Sequence, residues 1–328
     1  MSDIVVSSRV RLARNYADLP FPHKMTASQG DACVVRTLEA LRDVPESYRF
    51  IPMKNAGEME KKALVEGHLI SPDLLLKKEG AALIRRDEAV AIMINEEDHL
   101  RIQAFAPGED LEKAAENAFR IEEALAGHLT FAFDGQLGYL TACPTNIGTG
   151  MRASMMLHLP MLTLLKQMGK VNQVAAKLGL TIRGIYGEGS EARGNLYQIS
   201  NQVTLGRTER EISEAVSAVA RQLTQMERTF RERTLEKDSV GFLDQMFRSY
   251  GLLCNARRMQ EKEFMAHWSN LRLGAAMGKL PVDTALCDAL LTKGQSAQVQ
   301  KAAGRELTGR EIDEKRSDLI RGALTGGE

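Results

Sequence analysis

The sequence predicts an α+β protein: an antiparallel sheet flanked by helices, followed by an all-helical C-terminal domain. Three observations carry this. Short apolar runs separated by turn residues fill the stretch from about Phe50 to Gly206, as strands and hairpins do. After Gly206 only helical periodicity remains. Eight of the nine prolines fall at or before Pro160 and the ninth is Pro281, so the chain between can hold long uninterrupted elements.

Ala81–Arg85 and Ala89–Ile94 flank the charged turn Arg86-Asp87-Glu88 and read as a hairpin. His99–Ala106, Leu129–Phe133 and Leu137–Ala142 read as further strands, the last two joined by the turn pair Asp134-Gly135. Leu180–Tyr186 and Leu196–Leu205 follow as strands. Between them Leu111–Leu125 and Met151–Leu178, with a break near Gly169, show helical spacing. Thr208 and Glu211 form a capping box that opens a helix with apolar positions Ile212, Ala215, Val219, Leu223 and Met226. Val240–Leu253, Lys262–Ala276, Asp283–Leu291 and Arg310–Leu324 are the later helices. The domains are therefore expected at residues 1–230 and 231–328.

Composition narrows the function. The 328 residues carry 43 basic and 43 acidic side chains, a net charge of zero that argues against nucleic-acid coating or polybasic membrane binding. Ala153–Leu165, the best apolar stretch, is broken by His158 and Pro160. The start lacks the marks of a secretory leader. Cys33, Cys143, Cys254 and Cys287 are too scattered for a disulfide framework or a zinc site. A cytoplasmic protein without a protein-held metal is expected. No Walker A, GxGxxG, protein-kinase or G-x-S-x-G motif is present.

Four clusters could carry chemistry. In Ser7-Ser8-Arg9-Val10-Arg11-Leu12-Ala13-Arg14, an extended chain would point Arg9 and Arg11 to one side, where two guanidiniums could grip a polyanion. A solvated edge strand is the bland alternative. In Asn95-Glu96-Glu97-Asp98-His99-Leu100-Arg101, three adjacent carboxylates repel unless a cation sits among them; a polar loop is the alternative. In Cys143-Pro144-Thr145-Asn146-Ile147-Gly148-Thr149-Gly150-Met151-Arg152-Ala153-Ser154, a thiol and a glycine turn are read as leading into a helix with Arg152 in its first turn. A buried cysteine beside an ordinary turn would look the same. The glycines of Arg183–Asn195 suggest a loop able to close over a substrate, or simply a surface loop. Arginines, paired acids, a thiol and a loop, without a metal cage, together suit phosphoryl transfer from a nucleotide.

SSRVRLAR, NEEDHLR and CPTNIGTGMRAS resemble the guanidino (phosphagen) kinases. RGIYGEGSEARGNLYQISNQVTLG, GHLISP at Gly67–Pro72 and NEEDHLRIQ are similar to the bacterial protein-arginine kinases within that family. The resemblance runs from Ile4 to the C-terminal helices. It leads one to expect a guanidino-kinase catalytic domain, without the small helical N-terminal domain of the metabolite-specific members, and a helical C-terminal domain for dimerisation and phosphoarginine or substrate binding.

The resemblance implies an ATP site built from Ser7, Ser8, Arg9, Val10, Arg11, His68, Arg101, Arg152 and Arg183, with Ala153, Ser154, Met155 and Met156 nearby. The segment Gly184, Ile185, Tyr186, Gly187 and Glu188 would complete it. Mg2+ would be held mainly by the nucleotide. Glu97 matches the catalytic acid, supported by Glu96 and Asp98, and Cys143 matches a thiol that orients the guanidinium. For the second catalytic carboxylate, alignment on RGxxGE selects Glu191 and sets Tyr186 at a phosphate-binding arginine's position. A register that keeps Arg183 as that arginine selects Glu188, the preferred choice. Two carboxylates could grip the guanidinium while one takes a proton as the P–N bond forms. An RDxxRA motif that binds phosphoarginine is matched by Asp313 and Arg316, with Ile312 and Ser317 departing from it. A charged, solvated helix face is the alternative there.

The expected activity is ATP-dependent phosphorylation of arginine side chains in proteins, marking them for Clp-type proteolysis in protein quality control. The expected partners are protein substrates, a second copy in a homodimer, a small zinc-binding activator protein and a Clp-type unfoldase. The alternatives are a kinase for free arginine or another small guanidine, and a non-catalytic phosphoarginine-binding module.

Overall fold

Strand β1 (Val5–Arg14) is the spine of the molecule. In the computed structural model, which describes residues 2–185 and 192–326, it lies inside the sheet and not at its edge. Its neighbours are β5 (Leu100–Pro107) and β8 (Met151–His158). Beyond β5 come β4 (Val90–Ile94), β3 (Ala81–Arg85) and β2 (Tyr48–Pro52); beyond β8 come β10 (Leu196–Asn201) and β9 (Leu180–Gly184). The order β2-β3-β4-β5-β1-β8-β10-β9 is antiparallel at every pairing.

One face of this sheet is apolar along its length. Val10, Leu12, Ile102, Ala153, Met155 and Ile199 are buried there beneath α3 (Leu111–Ala126) and α6 (Glu209–Lys237). Helix α3 contributes Ala114, Ala118, Ile121 and Leu125, the spacing of a single helical stripe. On the other face, among the described residues, an apolar cluster packs at each end. At one, α2 (Glu58–Glu66) and the following turn pack Leu64, Leu69, Ile70 and Leu74 onto Ala82, Ile84, Ala91 and Met93. At the other, Val6 and Leu196 join a cluster around Phe264, Trp268 and Leu271 from the C-terminal helices. Between the two clusters lie the polar residues considered below, with Glu261 and Gln295 of the C-terminal part lining the same cavity.

The predicted α+β architecture, the hairpin at residues 81–94 and the capping box at Thr208 all stand. The expected helix starting at Met151 does not. Met151–His158 is an inner strand, and helix resumes only at α4 (Pro160–Leu164) and α5 (Met168–Lys177). Alanine, methionine and leucine favour helix locally, but Met151, Ala153, Met155 and Leu157 alternate into the core, and strand pairing on both sides outweighs propensity. Residues 129–142 give only the two-residue strands β6 (Phe133–Asp134) and β7 (Gly138–Tyr139) around the foreseen turn. Helices α1 (Ala27–Ala40) and α2 and strand β2 were not anticipated.

The C-terminal helices are α7 (Ser239–Asn255), α8 (Glu261–Ala276), α9 (Thr284–Lys293), α10 (Ser296–Ala303) and α11 (Gly309–Thr325). Only α10 was missed. Buried polar contacts fasten this part to the sheet. Glu227 on α6 accepts from the amides of Met161 and Leu162 at the start of α4 and from Arg231 Nε at 3.0 Å. Ser269 on α8 meets His158 Nε2 at 2.7 Å and Asn195 Nδ2 at 2.8 Å. Gly194 has φ +62°, and a Cβ there would lie 2.9 Å from Met265, so glycine suits both the turn and the close approach.

Loss of Glu227 would leave a buried guanidinium and two amides without their acceptor. Glu227→Ala should cost about 3–5 kcal/mol in chemical denaturation, and Glu227→Gln, which keeps an acceptor, distinctly less. His99 generates a pH dependence. The Tyr16 amide donates to its Nδ1 and its Nε2 faces the Pro20 carbonyl, both at 3.0 Å, holding a neutral ring whose pKa burial pushes down to about 4. The unfolded chain therefore takes up this proton first. The associated stability is complete above about pH 6.5 and is lost as pH falls toward 4, by up to about 3 kcal/mol. His99→Asn should flatten the fall of the denaturation midpoint over that window; an unchanged slope would refute the assignment.

Candidate active site

Strand alternation and register assemble the site. Ser7, Arg9 and Arg11 share one face of β1. Across β5, Phe105, Gln103 and Arg101 stand opposite Arg9, Arg11 and Ala13. Across β8, Met156, Ser154 and Arg152 stand opposite Ser7, Arg9 and Arg11. Gln198 on β10 faces Met156 on one side and Arg183 on the other. Arg9, Arg11, Arg101, Arg152 and Arg183, far apart in sequence, thus share one face of the sheet, the first three lining one cavity and Arg152 and Arg183 an adjoining one. The same alternation turns Ser8, Val10, Ala153 and Met155 to the opposite face, and the Ser8 hydroxyl is spent on the Gly108 carbonyl at 2.8 Å.

This row of arginines is electrostatically crowded. Burial, then repulsion from Arg9, Arg101 and Arg152, holds the Arg11 pKa well below its ordinary value. Burial and the charges of Arg183 and Arg101 lower that of Arg152. The Nε groups of Arg11 and Arg152 are buried without a hydrogen-bond partner among the described residues. Such donors cost stability unless something accepts from them, and a polyanion would both accept and neutralise. The residues present fit a nucleotide triphosphate. His68 beside the row has φ +59°, and burial and Arg9 push its pKa down to about 4, so it is neutral at pH 7. Gln103 holds its segment through the carbonyls of His68 and Leu69.

The acidic cluster adjoins this row. Arg101 donates to Glu96 at 2.8 Å and to Glu97 at 2.9 Å, supplying the cation that neighbouring carboxylates require. Glu96 is buried and also accepts from Ser71 at 2.6 Å. Glu97 is 43% exposed, which leaves it open to a substrate. Burial of its remaining surface and the nearby acids raise its pKa against the pull of Arg101. Asp98 points inward, accepting from Asn15 at 2.6 Å and from the Ala142 amide at 2.7 Å. That bond fixes the chain one residue before Cys143, whose Sγ lies 3.0 Å from the Thr145 hydroxyl. Asp98 was expected to support Glu97; Asn15, Ser71 and Gln103 were not singled out from sequence, though a polar residue set among buried apolar ones is the available signal.

Gly184 and Ile185 close the end of β9, and Ile185 lines the cavity beside Arg9 and His68. Tyr186, Gly187, Glu188 and Glu191 lie outside the described residues. Asp313 and Arg316 sit on α11, where Arg316 is buried and donates to the carbonyls of Gly294 and Met259, to Asp313 and to Ser296. That guanidinium braces α11 against the start of α10.

Comparison with known proteins agrees with this geometry. Residues 31–230 match the model of the ATP:guanido phosphotransferase C-terminal catalytic domain, and residues 240–327 that of the protein-arginine kinase McsB C-terminal domain. A protein-arginine kinase of Caldanaerobacter subterraneus subsp. tengcongensis is 44% identical over 97% of this chain and 96% of its own. One of Brevibacillus brevis is 46% identical over 98% and 92%. Among solved structures, a lombricine kinase superposes with TM-score 0.64 at 25% identity, over 71% of this chain and 68% of that one. The duplicated taurocyamine kinase of Schistosoma mansoni gives 0.62 at 27%, over 68% and 33%. The chain is a phosphotransferase of the ATP:guanido phosphotransferase family, in its protein-arginine kinase branch.

Proposed function

We propose that the chain transfers the γ-phosphate of ATP to arginine side chains of proteins. The observation that carries this reading is the row of five guanidiniums, with unpartnered Nε groups on Arg11 and Arg152, running beside the open carboxylate of Glu97. ATP would supply the phosphoryl group, with Mg2+ held mainly by its phosphates and water. Arg9, Arg11, Arg101, Arg152 and Arg183 hold the phosphates and neutralise the charge of the transferring group. Ser7 and neutral His68 offer hydrogen bonds at the same edge.

Glu97 grips the incoming guanidinium and takes its proton as the P–N bond forms, while the bond from the γ-phosphorus to the β–γ bridging oxygen breaks and ADP leaves. A guanidinium has a pKa above about 12, so this proton leaves only as the nitrogen commits its lone pair. Arg101 holds Glu97 in place from one side, Glu96 buttresses Arg101, and Cys143 orients the substrate from the segment that Asp98 positions. Glu188, with Glu191 as second choice, supplies the other carboxylate.

Protein arginine as the acceptor is supported by the names of the curated relatives and by the matched C-terminal domain. From the same kinship follow, as parts of this proposal, cytoplasmic protein quality control through Clp-type proteolysis, a homodimer and a zinc-binding activator protein. The division at residue 230 is supported by family matches that end at 230 and resume at 240. Phosphoarginine binding at Asp313 and Arg316 would require a rearrangement of the Arg316 contacts.

Glu97→Gln should bind ATP nearly as wild type while transferring phosphate slower by about two orders of magnitude or more. Near-normal turnover in a radiolabel assay would remove Glu97 from the mechanism. Incubation with ATP, free arginine and a model protein, read by mass spectrometry, should place phosphate on the protein. Phosphate on the free amino acid alone would defeat the protein-kinase reading.

A further inference from the structure

Residues of the C-terminal part line the cavity over the sheet from the arginines onward: Glu261 and Gln295 share it with Arg11 and Arg101, and beyond Arg9 it continues to α9. At that end Val6, Ser7 and Met156 form the floor, and Asp288, Leu291 and Thr292 of α9 stand opposite. This end shares Arg9, His68 and Ile185 with the cavity that contains Arg11 and Arg101. The two cavities therefore adjoin, running from Arg101 past Arg11 and Arg9 to a pocket lined by α9.

We propose that α9 forms the outer wall of the nucleoside subsite, so that Leu291, Thr292 and Asp288 contact the base and ribose of ATP. This rests on the nucleotide reading above. Direction decides the assignment. The phosphoryl group must be delivered where the acceptor meets Glu97, at the Arg101 end. Arg101 stands opposite Ala13, and Arg9 lies four residues back along β1, about 13 Å away. A triphosphate laid along the row leaves its sugar and base beyond Arg9 and Ser7, where the cavity opens toward α9.

The chemistry of that end suits a nucleoside and not a further anion. Val6, Met156, Ile185 and Leu291 give apolar surface for the faces of a base. The Thr292 hydroxyl and the Asp288 carboxylate give hydrogen-bond partners for ribose hydroxyls. The wall is braced: Asp288 is held by Arg272 Nε at 2.7 Å, and the Cys287 carbonyl accepts from Trp268 Nε1 at 2.7 Å. Arg272 also donates to the Asp3 carbonyl at 3.0 Å, which ties the wall to the residues entering β1. The C-terminal helices thus help select the nucleotide, and nucleotide binding favours their seated position.

The test compares ADP with inorganic tripolyphosphate, which engages the cations but has no nucleoside. Both are titrated calorimetrically into the full chain and into Thr292→Phe, which fills the pocket, and Thr292→Ala, which leaves it open. In Thr292→Phe the ratio of ADP to tripolyphosphate affinity should fall about tenfold or more, and in Thr292→Ala about threefold. A ratio within twofold of wild type in both variants would overturn the assignment of α9. A wild-type chain that binds neither ligand would instead bring down the nucleotide reading itself. Retained tripolyphosphate binding in each variant reports that the fold is intact.

Discussion

Like charges pressed together are the constraint around which the molecule is organised. A sheet face bearing five guanidiniums is unfavourable unless scaffold stability from elsewhere holds it together. That stability comes from the opposite face, where the same strands present alternating apolar residues to α3 and α6. Main-chain pairing therefore sets where the arginines stand, and side-chain contacts of Arg101 with Glu96 and Glu97, Arg9 with Gln198 and Arg152 with Ser200 steady their ends. This is pre-organisation: the cations are set before any ligand arrives, and a ligand need not order them.

Carboxylates are used with comparable economy. Of three consecutive acids, Glu96 is buried to hold Arg101, Asp98 is turned inward to hold the Ala142 amide, and only Glu97 is left open. One strand end therefore fixes a phosphate-facing cation, the approach to a thiol and an acid available to a substrate. The positive φ of Asn95 begins this divergence of side chains, and its amide donates to the carbonyls of Gly30 and Glu79.

Much of this was legible in the sequence, and the gaps have physical causes. The alternation of Arg9 and Arg11 could be read directly, because a strand's period needs no neighbours. That Arg101, Arg152 and Arg183 join them depends on register between strands distant in sequence, which local patterns do not encode. Arg152 shows the difficulty most clearly. Its surroundings are rich in helix-favouring residues, and only the pairing of β8 with β1 and β10 makes them a strand. The resemblance to guanidino kinases named these arginines without explaining their meeting. Ser71 and Gln103 escaped notice because their partners, Glu96 and the carbonyls of His68 and Leu69, lie far away in sequence.

Helix α6 runs unbroken from Glu209 to Lys237, across the point where the two family matches divide. Its 29 residues make a rod of about 43 Å. The seam in ancestry is therefore not a seam in mechanics. A cut after residue 230 would remove Arg231 from Glu227 and leave a carboxylate buried against the sheet without its cation. No slack linker lies at that point: swivelling one part against the other there would mean bending or unwinding a continuous helix. Together with the direct contacts of Ser269 and Arg272 at the sheet, this shaft makes the two family matches one mechanical body.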